Sequence, residues 1–211
     1  MGKPLSMTSI LQQAAPVMPV VTINQVDHAI PLASALLAAG ISVIEVTLRN
    51  DCALEVIRRM KTVPGLIVGA GTVIHPQQFQ QLKAVNADFA VSPGTTPQLL
   101  AAANHSDLAF LPAIATTSDI MRAMAEGYQQ FKFFPAAASG GINALTAFAG
   151  PFPSIQFCPT GGITADNFRR YLALENVSCV GGSWLTPAQA IEQQDWQRIE
   201  QLARSLNHRS H

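Results

Sequence analysis

Short β-branched or aromatic runs alternate with alanine- and leucine-rich amphipathic segments from one end of the chain to the other, and this repetition constrains the fold more than any single motif. Strand starts are predicted near Val17, Ile41, Leu66, Asp88, Leu108, Gln129, Ser154 and Val177, spaced by 20 to 25 residues with no break in composition. Eight parallel strand–helix units at that period close into a single (β/α)8 TIM barrel, an α/β domain that fits a chain of 211 residues. Helix punctuation agrees: Asn24 leads a segment over 25–39 that stops at Gly40, and Asp51 stands where it would cap a segment running to Thr62. Pro76 and Pro97 occupy first-turn positions, and Thr164 starts a helix towards Leu172. Residues 6–15 read as an extra N-terminal helix across the barrel's bottom, and 207–211 as a frayed tail.

Only 12% of residues are charged, the formal net charge is zero, and no block of one sign occurs, so electrostatics favour neither nucleic acid nor an anionic membrane as partner. A small molecule is expected instead. The longest apolar stretch, 31–46, is interrupted by Ser34, Gly40, Ser42 and Glu45 and is too short to span a bilayer, and the first residues lack a secretory core. A soluble cytoplasmic protein is the expectation. Cys52, Cys158 and Cys179 form no CxxC pair and read as small hydrophobes rather than a disulfide framework. The five histidines show no metal-ligand spacing, so no metal site is expected.

In a barrel of this kind the chemistry lies at the C-terminal strand ends. Lys132 is alone in the apolar run Gln130-Phe131-Lys132-Phe133-Phe134-Pro135. Burial disfavours an ammonium and leaves some neutral amine to attack a carbonyl, which makes Lys132 the candidate Schiff-base nucleophile. A strand-end lysine whose head reaches water has the same local sequence. Strand two ends Ile44-Glu45-Val46-Thr47-Leu48-Arg49, and alternation puts Glu45, Thr47 and Arg49 on one face. Glu45 is the candidate general acid and base, and Arg49 can hold a substrate carboxylate through paired hydrogen bonds. The competing interpretation is a structural Glu45–Lys132 ion pair with Arg49 at the rim. Strand three ends Val68-Gly69-Ala70-Gly71-Thr72, where small residues admit a ligand and Thr72 offers a hydroxyl and an N–H; Ser92-Pro93-Gly94 ends strand four, and both segments serve equally well as turns. Paired glycines close strands seven and eight, in Pro159-Thr160-Gly161-Gly162 and Val180-Gly181-Gly182-Ser183. That is the usual TIM-barrel phosphate position, so Gly161, Gly162 and Ser183 predict a phosphorylated ligand.

Taken together, Glu45-Val-Thr-Leu-Arg49, Gly69-Ala-Gly-Thr72, Ser92-Pro-Gly94, Phe131-Lys-Phe-Phe-Pro135, Cys158-Pro-Thr-Gly-Gly162 and Gly181-Gly-Ser-Trp184 resemble the bacterial 2-keto-3-deoxy-6-phosphogluconate (KDPG) aldolases, class I enzymes of the Entner–Doudoroff pathway, over nearly the whole chain. The resemblance implies Lys132 as the Schiff-base lysine, Glu45 as the proton shuttle, and Arg49 with Thr72 on the pyruvyl carboxylate. It also implies Pro93 against the pyruvyl group and Gly161, Gly162 and Ser183 at the phosphate. Many members also act on 4-hydroxy-2-oxoglutarate (KHG), need no metal or organic cofactor, and assemble as homotrimers. Ala113 and Ala115 stand where the family pattern has glycine and serine, and Ala137 where it often has glutamate, which bears on substrate preference. Two rivals remain: another phosphate-binding barrel enzyme, such as an epimerase or the aldolase for the phosphogalactonate isomer, and a non-catalytic sugar-phosphate sensor in which Lys132 only pairs with Glu45.

Overall fold

The computed structural model describes residues 5–207; of the predicted tail over 207–211, Asn207 closes a 3-10 turn over Ser205–Asn207 and 208–211 lie outside the described residues. In chain order the elements are α1 (Met7–Ala14), β1 (Val17–Val21), α2 (Ala29–Ala38), β2 (Val43–Thr47), α3 (Ala53–Met60), β3 (Ile67–Gly71), α4 (Gln78–Ala84), β4 (Phe89–Val91) and α5 (Pro97–Asn104). There follow β5 (Ala109–Leu111), β6 (Ala113–Ile114), α6 (Thr117–Ala125), β7 (Gln130–Phe133), α7 (Gly141–Ala149), β8 (Gln156–Pro159), α8 (Phe168–Leu172), β9 (Val180–Gly182), α9 (Ala188–Glu192) and α10 (Trp196–Arg204). Each predicted strand start falls within three residues of an observed one.

All pairings are parallel and form two sheets, β5-β4-β3-β2-β1-β9 and β6-β7-β8. The expected fifth strand is cut in two by Pro112, which has no N–H for the ladder, so β5 pairs with β4 while β6 pairs with β7. Pro112 still serves the second sheet as an acceptor: the Lys132 amide donates to its carbonyl at 3.0 Å. Between β8 and β9, Phe157 bridges Val177 and Thr160 bridges Gly181.

Strand alternation divides the core. Ile44, Val46, Phe131, Phe133, Phe157 and Val180 pack towards the helices, in one large cluster. The opposite face holds a second cluster in which Val43, Phe89, Val91, Leu111, Cys158 and Cys179 meet Met7, Ile10, Leu11 and Ala14 of α1. The Ser6 hydroxyl caps α1 by accepting from Ser9 N at 3.2 Å. An apolar plug therefore occupies the strands' N-terminal ends, and polar residues are left for the C-terminal ends.

Several helix starts differ from expectation. Asn24 caps nothing; its Oδ1 accepts from Asn50, and a 3-10 turn over Val26–His28 leads into α2. Asp51 lies in the turn ahead of α3, whose cap position is Cys52 in a helical conformation, with its thiol given to the Ile23 carbonyl at 3.2 Å. The helix predicted from Thr164 begins at Phe168, because Asn167 turns its carboxamide back onto the Thr164 amide at 2.9 Å. Pro76 precedes α4 by a turn, whereas Pro97 opens α5 behind a Thr96 cap. Gly40 follows α2 with φ 88°, as a helix stop requires.

One side chain works inside a ladder. Asp88 Oδ2 accepts from the Val68 amide at 2.7 Å and from Lys61 Nζ at 2.6 Å. Asp88→Ala leaves a buried amide without an acceptor and is expected to cost roughly 2 kcal/mol, which lowers the melting temperature by about 4–8 °C in a domain of this size. Asp88→Asn, which keeps an acceptor, should fall less. Equal melting of wild type and Asp88→Ala by circular dichroism would show that the amide finds another acceptor.

Candidate active site

The face of β2 turned away from the helices carries Val43, Glu45 and Thr47 in sequence, and Arg49 lies just beyond the strand end. Glu45 and Thr47 are each 2% exposed, and Lys132 on β7 is 6% exposed. Lys132 Nζ donates to Glu45 Oε1 at 2.9 Å and lies 5.4 Å from the centre of the Phe134 ring. The strand-end alternative, with the lysine head in water, is thereby excluded. Burying both charges costs solvation that their attraction only partly returns, so the pair is a poor investment for stability alone. Gly71, the register partner of Thr47, makes room for it, because a Cβ there would collide with the Glu45 carboxylate.

Two residues further along the same strands, about 6.6 Å by strand geometry, a cavity of about 350 Å³ opens. Its wall includes Thr22, Thr47, Arg49, Phe134, Thr160 and the glycine-rich ends of β8 and β9. Lys132 and Glu45 are not in that wall; they sit one layer below, on the strands that supply Phe134 and Thr47. Arg49 is exposed and has no ion-pair partner among the described residues. Thr22 and Thr47 join hydroxyls at 2.7 Å.

Gly161 and Gly162 follow each other at φ 95° and 77°, a left-handed pair that side chains resist. The carbonyls of Thr160, Gly161 and Gly162 are drawn onto the Ala136 amide (2.8 Å), the Ala137 amide (3.0 Å) and the Asn167 carboxamide (2.9 Å). With the oxygens held there, the amide of Gly162 has no acceptor among the described residues, and neither does that of Ser183. Unclaimed amides and an unpaired guanidinium lining one cavity are groups suited to receiving anions.

Thr72 and Pro93 stand at the ends of β3 and β4, outside this cavity's wall. Thr72 holds φ 61°, a conformation that a β-branched residue adopts only under constraint from its surroundings. Residues missing from the sequence prediction are Thr22, Phe134 and Thr186. Thr22 was findable as the polar residue just past the first strand, and Thr186 carried no signal. Below the ion pair, Cys158 and Cys179 bring their sulfurs to 3.6 Å. The hydrogen bond to Cys158, burial, and the charges of Cys158 and Glu45 push the Cys179 thiol well above its ordinary pKa, so it is no nucleophile at neutral pH. Among the described residues no cluster of His, Cys, Asp or Glu is placed to hold a metal ion, and no helix is long and apolar enough to cross a membrane.

Comparison with known proteins places this geometry among relatives. The family described as KDPG and KHG aldolase matches residues 7–202. The 2-dehydro-3-deoxy-phosphogluconate aldolase of Dickeya dadantii is 54% identical over 192 residues, covering 90% of both chains. The KHG/KDPG aldolase of Escherichia coli K12 is 52% identical over 190 residues, 90% of this chain and 89% of the other. Among solved structures, a KDPG aldolase from Legionella pneumophila with pyruvate captured as a covalent carbinolamine superimposes with a TM-score of 0.92 at 46% identity, covering 95% of this chain and 98% of that one.

Proposed function

The chain belongs to the KDPG and KHG aldolase family, and from that premise we propose that it cleaves 2-keto-3-deoxy-6-phosphogluconate to pyruvate and glyceraldehyde 3-phosphate, and 4-hydroxy-2-oxoglutarate to pyruvate and glyoxylate. It is a carbon–carbon lyase. One observation carries the substrate assignment: the buried Lys132–Glu45 pair lies one layer beneath a cavity lined by backbone amides and the Arg49 guanidinium, groups that attract anions. The two sheets are taken to close as one eight-unit barrel with α1 across its bottom, Pro112 being the interruption within a single strand. This reading carries with it the family's single-domain and trimeric organisation.

The proposed chemistry passes two protons, one after the other, through Glu45. Lys132 passes a proton across the 2.9 Å contact to Glu45, and the freed amine attacks the C2 carbonyl. Glu45 returns the proton to the carbinolamine hydroxyl, which leaves as water and yields a protonated imine. As carboxylate again, Glu45 takes the proton of the C4 hydroxyl; the C3–C4 bond breaks, its electron pair flows into the imine, and the aldehyde departs. Protonation of the enamine at C3 and hydrolysis release pyruvate. Arg49, with Thr72, holds the carboxylate that both substrates share, Pro93 packs on the pyruvyl group, and the amides of Gly161 and Gly162 with Ser183 hold the phosphate that only the larger substrate has.

The two anion sites should therefore fail differently. Arg49→Ala is expected to lower kcat/KM on both substrates by ~10-fold or more, the scale of a lost charged hydrogen bond. Ser183→Ala should raise KM for the phosphorylated substrate and spare the shorter one. Steady-state pyruvate release measures both. Equal proportional losses on the two substrates in Ser183→Ala would move the phosphate elsewhere, and absence of wild-type cleavage of both substrates would overturn the substrate assignment. Comparing KDPG with its C4 epimer tests the phosphogalactonate rival in the same assay.

A further inference from the structure

Among the described residues, Thr186 Oγ1 is the one buried side-chain oxygen or nitrogen without a hydrogen-bond partner. The residue is 5% exposed, yet it contributes to the wall of the cavity that Ser183 and the Gly161–Gly162 turn also line. A threonine just ahead of a helix ordinarily gives its hydroxyl to one of the first free amides. Here α9 begins behind Pro187 with no side-chain cap, so that use is not made. The backbone is committed nonetheless: the Thr186 amide donates to the Ser183 carbonyl at 3.1 Å, which ties the two hydroxyl-bearing residues into one turn.

Left as it stands, this hydroxyl is a cost, since valine would fill the same space with no polar atom to desolvate. A step of about 120° between staggered χ1 wells exchanges the hydroxyl with the methyl group. An acceptor in the cavity would favour whichever well presents the hydroxyl to it. The neighbouring unclaimed amides select for an anion there, and an anionic oxygen is the acceptor that rewards a hydroxyl most.

We propose that Thr186 is a substrate-binding residue that donates its hydroxyl to a phosphate oxygen beside Ser183, and so raises the preference for phosphorylated over unphosphorylated substrate. The identity of the substrate rests on the aldolase reading above; the phosphate contact itself can be tested without it.

The test compares wild type with Thr186→Val, Thr186→Ala and Thr186→Ser. Inorganic phosphate is expected to raise the melting temperature of wild type and Thr186→Ser, and to do so much less in the two variants that lack a hydroxyl. The ratio of kcat/KM for KDPG to that for 4-hydroxy-2-oxoglutarate should fall about tenfold in Thr186→Val, through KM, and recover in Thr186→Ser. A merely structural hydroxyl gives the opposite pattern: Thr186→Val melts higher without ligand and keeps both the phosphate shift and the ratio, which would overturn the proposal. Absence of any phosphate shift in wild type would overturn it too. If wild type cleaves neither substrate, the aldolase reading falls, and the phosphate shifts alone still decide whether Thr186 holds the anion.

Discussion

Sodium borohydride added together with pyruvate is expected to inactivate the protein and to leave one reduced pyruvyl adduct on the peptide containing Lys132. The chain has only four lysines: Lys3, Lys61, Lys83 and Lys132. Lys61 is held by Asp88 at 2.6 Å, and Lys83 is a surface residue near Asp107. Of the described lysines, Lys132 alone is buried against a carboxylate that can take its proton and beneath a cavity that can hold a keto acid. Lys132→Arg sharpens the test. Arginine keeps the charge and can still pair with Glu45, but its guanidinium offers no amine nucleophile. Turnover should drop on the order of 10⁴-fold or more in this variant, since the covalent step is lost outright. An active Lys132→Arg protein, or a label on Lys61 or Lys83, would reduce Lys132 to an ion-pair partner and favour the sensor rival.

Glu45→Gln is expected still to reach the trapped adduct, though more slowly, while turning over roughly 10²- to 10⁴-fold more slowly, the range for a positioned acid–base group. Glutamine fills the same volume and keeps an oxygen that can accept from Lys132 Nζ, so the geometry beside Gly71 survives. What it loses is the capacity to carry a proton from the ammonium to the carbinolamine and from the C4 hydroxyl to C3. Adduct mass after borohydride and pyruvate release in the steady state separate the two functions. Near-normal turnover with an unchanged circular dichroism spectrum would mean that another group, or water, moves the protons.

How far the sequence reaches depends on what a residue's neighbours along the chain reveal. Lys132 and Glu45 were visible because each is a charge within an apolar strand, where alternation fixes the face it must share. Gly161 and Gly162 were visible because their place after the seventh strand makes a common dipeptide a candidate anion site. The fate of Pro112 was not: a proline near a strand edge is common, and only the pairing of β5 with β4 and β6 with β7 shows that it divides one strand between two sheets. The helix starts at Asn24 and Asp51 misled for a related reason, since each side chain had a competing partner or backbone conformation that no local pattern records. Thr72's left-handed backbone and Thr186's idle hydroxyl are properties of packing across loops distant in sequence, and no periodicity encodes them.

The Lys132–Glu45 contact joins residues 87 apart in sequence, on strands belonging to different sheets. Either sheet can pair its own strands without bringing the amine to the carboxylate. Recovery of catalysis after dilution from denaturant therefore reports the docking of the two halves, a step that requires long loops to close and that folding kinetics place late. Helical signal should return first, and the capacity to capture pyruvate afterwards, so the enzyme's own chemistry serves as a clock for the completion of its topology.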